Sequence, residues 1–153
     1  MQKFVVVVEC AIKFNDKFLL IRRPNGVHAG GCLSFPGGKV EYKDGGEKLD
    51  VLSEAVKREV LEEVGLKLID PIHFVTSSYF IANQEHVVDV LFYCNIENST
   101  CKVTPSLREV PEYYWLTTNE AVIHANAPAW LKHYFSCIES RWPPGFGSKN
   151  RPK

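Results

Sequence analysis

The chain has no surplus of either charge: its eighteen lysines and arginines are matched by eighteen aspartates and glutamates. With no global field to draw it to nucleic acid or an anionic membrane, recognition of an anionic ligand must come from local groups or a bound ion. Long apolar runs are missing too. The N-terminal Val5 to Val8 run is broken at once by Glu9, far short of the roughly 20 residues that a membrane-spanning helix needs. It reads as a strand rather than a signal peptide, so a cytoplasmic protein is expected. The five cysteines are odd in number, scattered, and form no C-x-x-C. That argues against a disulfide framework or a zinc site and fits a reducing compartment. Cys10 and Cys94 lie in strand-like apolar runs and read as small core residues. No internal repeat is present. What remains is ordinary for a globular domain: 153 residues, 45% hydrophobic and 24% charged, enough for one real core.

The chemistry is concentrated between Phe35 and Leu66. Phe35-Pro36-Gly37-Gly38 allows a sharp turn and close approach of backbone carbonyls. Arg58-Glu59-Val60-Leu61-Glu62-Glu63-Val64-Gly65-Leu66 carries glutamates three and four apart. On a helix that spacing puts Glu59, Glu62 and Glu63 on one face, while Val56, Val60 and Val64 make an apolar stripe beside it. Such a face is either plainly solvated or, because three like charges repel, a place for a hard cation such as Mg²⁺ or Mn²⁺. Gly65 suits the left-handed residue that ends a helix.

Taken together, the Gly-Gly turn, the spacer and R-E-V-L-E-E-V-G-L resemble the Nudix box of the MutT-like Nudix hydrolases. In that family a glycine is followed after five residues by Glu, and after seven more by Arg-Glu-aliphatic-any-Glu-Glu-any-Gly-aliphatic. The second half matches at every specified position. The first half departs: the spacer is about six residues longer, and counting from either end reaches Asp44 or Asp50 rather than Glu. Asp50 is preferred for that first acidic role because its distance to Arg58 is the family's, with Asp44 and Glu47 as the alternatives. The inserted segment, Lys43 to Lys48, is expected to be an exposed loop beside the cleft.

Elsewhere the pattern gives elements. Lys3 to Ile12 and Lys17 to Arg22 read as a hairpin across Asn15-Asp16. A loop from Pro24 to Gly31 precedes a short strand at Cys32 to Phe35. Strand is expected from Ile69 to Ile81, with an interruption at Pro71, and from Val87 to Ile96, with a turn at Asn83-Gln84. In the second of these, Val88, Val90, Phe92 and Cys94 face one way and Val87, Asp89, Leu91 and Tyr93 the other, as in a central strand. A turn follows at Asn98 to Thr100, then a polar loop from Ser106 to Glu112. Tyr113 to Leu116 is a strand with Trp115 in the core. Thr117 and Glu120 form a capping box opening a short helix. Pro128 opens a second helix, with Ala127, Leu131, Tyr134, Phe135 and Ile138 on one face, ending near Arg141. The domain is placed at residues 1–142, with a loose tail at 143–153.

The resemblance implies an α/β (α+β) fold: an α/β/α sandwich around a mixed sheet, with the glutamate helix on one side and the C-terminal helices on the other. It implies that Glu59, Glu62, Glu63 and the Gly38 carbonyl hold Mg²⁺, or Mn²⁺, and that Arg58 positions the carboxylates. Glu109 of the Glu109, Glu112, Trp115 pattern is the candidate general base, with Glu112 behind it. Arg22, His28, Tyr79, Phe80 and Asn126 are candidate substrate contacts; each also has a plain reading as surface charge or packing. Because Tyr79 and Phe80 are adjacent on a strand, only one can face the cleft. The expected activity is pyrophosphohydrolysis of a nucleoside triphosphate to the monophosphate. Diphosphatases of nucleotide sugars, ADP-ribose or coenzyme A are alternatives, the last because His28-Ala29-Gly30-Gly31 resembles a motif of that branch. A non-catalytic Nudix-like binding domain is the other class, disfavoured because all three box glutamates are kept. The partner is expected to be a small nucleotide, not nucleic acid or membrane, on a monomer or homodimer.

Overall fold

The computed structural model describes residues 1–47, 49–69, 71–97 and 102–144. The expected turn at Asn98 to Thr100, Cys101, and the tail from residue 145 onward lie outside them.

The sheet is mixed. Strands β1 (Val5–Phe14), β2 (Lys17–Arg22), β3 (Leu33–Ser34), β4 (Gly37–Lys39), β5 (His73–Ala82), β6 (Glu85–Asn95) and β7 (Glu112–Leu116) are joined by helices α1 (Val51–Val64), α2 (Thr118–Ile123) and α3 (Ala129–Arg141). The main path runs β3-β2-β1-β6-β5, with β4 paired to β1 and β7 to β2. Only the β1–β6 pair is parallel; the others are antiparallel. The two hairpins follow from their turns. Asn15 has φ 55°, and Asn83 and Gln84 have φ 51° and 65°, the left-handed conformation that two-residue hairpin loops demand.

Alternation along β1 and β6 creates two cores. Val8, Cys10, Ile12, Val90, Phe92 and Cys94 pack against Ala55, Val56, Val60 and Val64 of α1. Ala11, Leu91 and Tyr93 pack on the other face against Leu131, Tyr134, Phe135 and Ile138 of α3. The expected sandwich and the expected faces of β6 are therefore present. Cys10 and Cys94 are buried free thiols with their sulfurs 3.7 Å apart. Thr117 and Glu120 exchange the two hydrogen bonds of a capping box.

Several strand ends differ from the sequence reading by one or two residues, β1 running Val5–Phe14 rather than Lys3 to Ile12 and β6 starting at Glu85 rather than Val87. Strand β5 starts at His73, just past the interruption expected at Pro71, where proline has no N–H to give a ladder. Glu112 is the first residue of β7, not the end of a loop, and Val110 before it is fully buried.

Candidate active site

Helix α1 forms the floor of the site. Asp50 caps its N-terminus, accepting from the Ser53 N–H at 3.4 Å, and Gly65 ends it with φ 71°. Between the caps, Val56, Val60 and Val64 are fully buried, which fixes the helix's rotation. Glu59, Glu62 and Glu63 then lie along the flank of that stripe: Glu62 exposed, Glu59 half-buried, Glu63 only 9% exposed.

Arg58 organises these groups. Its Nε and Nη2 donate to the two oxygens of Asp44 at 2.6 and 2.9 Å. Its Nη1 donates to Glu59 Oε1 at 2.8 Å and to Glu62 Oε2 at 3.1 Å, and its Nη2 also to the Lys39 carbonyl at 3.0 Å. The planar guanidinium suits such a multiply bonded role. Asp44 is 3% exposed, closes a short 3₁₀ turn at Tyr42–Asp44, and also accepts from the Glu41 N–H at 2.8 Å. Hydrogen bonds from Arg58 hold its carboxyl below the usual range.

This corrects the preference for Asp50. The acid that meets Arg58 is Asp44, at the family's distance from Gly38, and Asp50 serves only as the helix cap. The extra residues therefore lie after Asp44. Gly46, Glu47 and Leu49 are exposed, as expected for the loop, but Asp44 at its start is buried in the site. An open groove of about 690 Å³ beside that loop is lined by Phe4, Val6, Val40, Tyr42, Gly46 and Val51, among others, and by none of the box glutamates.

The approach of Gly37-Gly38 to the helix is unusually close. The Gly37 N–H donates to Glu63 Oε1 at 3.2 Å. A Cβ on Gly38 would lie 2.3 Å from Glu59 Oε2. On the other side the loop after α1 is tied back to the helix end: the Thr104 N–H donates to the Val64 carbonyl, and the Ser106 N–H to the Glu63 carbonyl at 2.9 Å. That tie brings exposed Glu109 close enough for its charge to raise the carboxyls of both Glu59 and Glu63. Glu63 is pushed up to about 8, first by burial, then by Glu109 and Glu59, against the Gly37 hydrogen bond. Burial is also the first cause of the upward shift of Glu59, opposed by Arg58. Glu112 is elsewhere, bonded to Tyr114 and paired with Arg22 at 3.5 Å.

An ion bound here would face hard oxygen donors alone, and the space against Glu59 that any side chain at 38 would fill is left open. The donor set fits Mg²⁺ or Mn²⁺. Among the described residues no three of these groups are already gathered as a cage. Arg58 and the Gly37 N–H hold individual carboxylates in the meantime.

The substrate candidates are divided by the structure. Phe80 stacks on His28, centroids 5.2 Å apart and 10° from coplanar. Tyr79 points to the opposite face, where it bonds His86 Nδ1 at 2.5 Å and meets Phe4 edge-on. Arg22 is engaged by Glu112. Asn126 is exposed; its carbonyl accepts from the Leu33 N–H at 2.9 Å and its own N–H donates to His124. Glu9 and Asp89, which the sequence reading gave no site role, lie close enough to affect each other, and Arg23, which the sequence offers beside Arg22 as a phosphate contact, is close enough for its charge to be felt at Glu63. The charge of Arg23 lowers the carboxyls of both Glu9 and Glu63, and that of Glu63 raises Glu9. The signal was available, since a glutamate inside a β-branched run and an aspartate on an inward face of a central strand are both costly to bury.

A family model described as the NUDIX domain matches residues 3–136. No curated protein matches the sequence. Among solved structures, a MutT protein from Methanosarcina mazei Go1 is 24% identical, with a TM-score of 0.74 over 92% of this chain and 96% of that one. The NUDIX domain of Shewanella oneidensis NrtR, complexed with ADP ribose, is 15% identical, with a TM-score of 0.73 over 92% and 90%. A C. elegans Ap4A hydrolase is 18% identical, with a TM-score of 0.68 over 90% and 98%. At these identities the structures establish the shared fold.

Proposed function

The chain belongs to the NUDIX family, and from that premise we propose that this Nudix hydrolase cleaves a nucleoside triphosphate to the monophosphate and pyrophosphate. The observation that carries the reading is the gathering of Glu59 and Glu62 around Arg58, with Glu63 on the Gly37 N–H, Gly38 against Glu59, and Glu109 near enough for its charge to be felt by Glu59 and Glu63.

Each residue has a role that follows from its surroundings. Glu59, Glu62, Glu63 and the Gly38 carbonyl would hold the divalent ion that Nudix hydrolases generally use. Bound there, the ion would neutralise phosphate charge and lower the pKa of a coordinated water. Arg58, fixed by Asp44, keeps Glu59 and Glu62 on the cleft side; it is a positioning residue. Glu109 is exposed, sits on a loop tied to the helix end, and takes the proton of the attacking water. Phe80 and His28 offer a flat face on which a base can lie. No helix among the described residues is long and apolar enough to cross a membrane, and the substrate is a small nucleotide.

The test is product analysis in ¹⁸O-labelled water with Mg²⁺. Monophosphate and pyrophosphate, one of them labelled, are expected, with Glu109→Gln lowering kcat by roughly 10²–10⁴-fold. Orthophosphate and nucleoside diphosphate would refute pyrophosphohydrolysis. The Ap4A hydrolase and the ADP-ribose-bound domain among the structural neighbours make a dinucleotide, ADP-ribose, nucleotide sugars and coenzyme A the comparison panel. Turnover confined to these would replace the triphosphate while leaving the carboxylate roles in place.

A further inference from the structure

Helix α1 covers only part of its face of the sheet. It packs on β1 and β4 and against Val90, Phe92 and Cys94 of β6, and it begins at Val51. Outside that footprint an apolar row crosses the same face. Strand register sets Tyr79 of β5 beside Val88 of β6, and Val88 beside Val6 of β1. The Val40 N–H extends the row by donating to the Val6 carbonyl at 2.8 Å. Val88, Val6 and Val40 are only partly buried.

The row has a ridge at one end and a hollow at the other. Tyr79 and Ile81 form the ridge, 55% and 58% exposed, and Phe4 meets Tyr79 edge-on while remaining 51% exposed. The hollow is the open groove of about 690 Å³, walled by Phe4, Val6, Val40 and Val51. Tyr42 on its rim and Leu49 in the inserted loop are fully exposed. At about 200 Å² for a fully exposed large side chain, these five residues show roughly 700 Å², before the groove walls are counted. The largest apolar patch of a typical monomer is about 300–600 Å², and one side of a standard stable interface is about 800 Å².

The chemistry of the surface selects its occupant. Strand β5 contains no aspartate, glutamate, lysine or arginine, and the groove lining carries one charge of each sign, Lys39 and Glu41. A strongly charged partner finds nothing here to complement, whereas two copies of this face do not repel each other. A two-fold contact needs a self-complementary patch, in which each residue meets itself or is met reciprocally. A ridge beside a hollow meets that condition, because the ridge of each copy can enter the hollow of the other. Lys39 can then face Glu41 across the axis.

We propose that this face is the interface of a homodimer, with Phe4, Tyr79 and Ile81 of each copy seated at the groove of the other. Phe80 and its His28 stack point to the opposite face of β5 and stay open to ligand. The inference is independent of which nucleotide is cleaved.

The experiment is sedimentation equilibrium of the full chain over a range of concentrations. Reducing buffer keeps the free, partly buried Cys32 and Cys137 from cross-linking. The wild type should be a dimer at micromolar concentration, within the range that interfaces of this size reach, and should dissociate on dilution. Ile81→Lys brings like charges together in the contact and should raise the dissociation constant tenfold or more. Leu49→Lys, in an exposed loop, reads the same surface if the strand substitution prevents folding, and should raise it several-fold. Ile123→Lys is the control, since Ile123 is 82% exposed on α2, away from this face, and should leave the dimer unchanged. Weakening in either folded variant with the control intact sustains the proposal. A wild type that stays monomeric up to roughly 100 µM overturns it and leaves the face to a different protein. A dimer that neither variant weakens, or that the control weakens equally, places the contact elsewhere and overturns it too. So does an open series of larger species, which a closed two-fold contact excludes.

Discussion

Replacing Asp44 with Asn should destabilise the protein far more than the same change at Asp50. Asp44 gives Arg58 two charged hydrogen bonds, at 2.6 and 2.9 Å, with side-chain exposures of 3% and 15% for the two residues. Removing one partner of a buried ion pair costs about 3–5 kcal/mol. Here Arg58 keeps Glu59 and Glu62, and Asn can still accept from Glu41, so the cost should fall to roughly 2–3 kcal/mol. For a chain of this size that lowers Tm by roughly 5–10 °C. Asp50 only caps α1, where Asn serves as well as Asp, so Asp50→Asn should change stability by about zero. The pH dependence gives a second check. Asp44's carboxyl is held below its ordinary range, so its contribution is fully present above the unfolded value of about 3.9 and is lost as pH falls through the lower folded value. The stability gap between wild type and Asp44→Asn should thus be constant near neutrality and close below about pH 4. Denaturant melts of the three proteins across pH decide it. An unchanged Tm for Asp44→Asn, or a larger loss for Asp50→Asn, would refute the assignment of Arg58's partner.

Glu63→Gln should lose activity by orders of magnitude yet melt no lower than wild type in chelator. Since burial pushes Glu63 up to about 8, its ionisation weakens the fold as pH rises from about 4, so the variant's advantage should grow toward pH 8. Gly37→Ala and Gly38→Ala should fail differently. A Cβ at 37 meets the Val8 backbone carbonyl at 2.0 Å and should cost stability, while one at 38 meets only the end of the Glu59 side chain and should cost activity with a near-normal Tm. Deleting residues 46–49, beyond Asp44 and before the cap, should shift stability by less than about 1 kcal/mol, because loop entropy varies slowly with length; a large loss in a thermal melt would show that the segment packs.

The sequence alone determined the helix that carries the site, because periodicity is local. Glutamates three and four apart beside a valine stripe of period four require one face for each, and Gly65 marks the end with a residue whose cap geometry is intrinsic. The two faces of β6 followed from alternation for the same reason. What the tertiary structure alone decided was which groups meet across the chain. Spacing to Arg58 favoured Asp50, but a helix cap cannot turn back along its own helix, whereas Asp44, on a turn folded over the helix from the β4 side, reaches the guanidinium with both oxygens. Tyr79 and Phe80 were equivalent until strand register put Phe80 with His28 and its neighbour on the other face. Glu9 and Asp89 looked like isolated charges in apolar strands. Only parallel pairing of β1 with β6, and α3 laid over them, brings Asp89 under the Tyr134 hydroxyl and within reach of Glu9's charge, contacts between elements far apart in the chain that no local pattern shows.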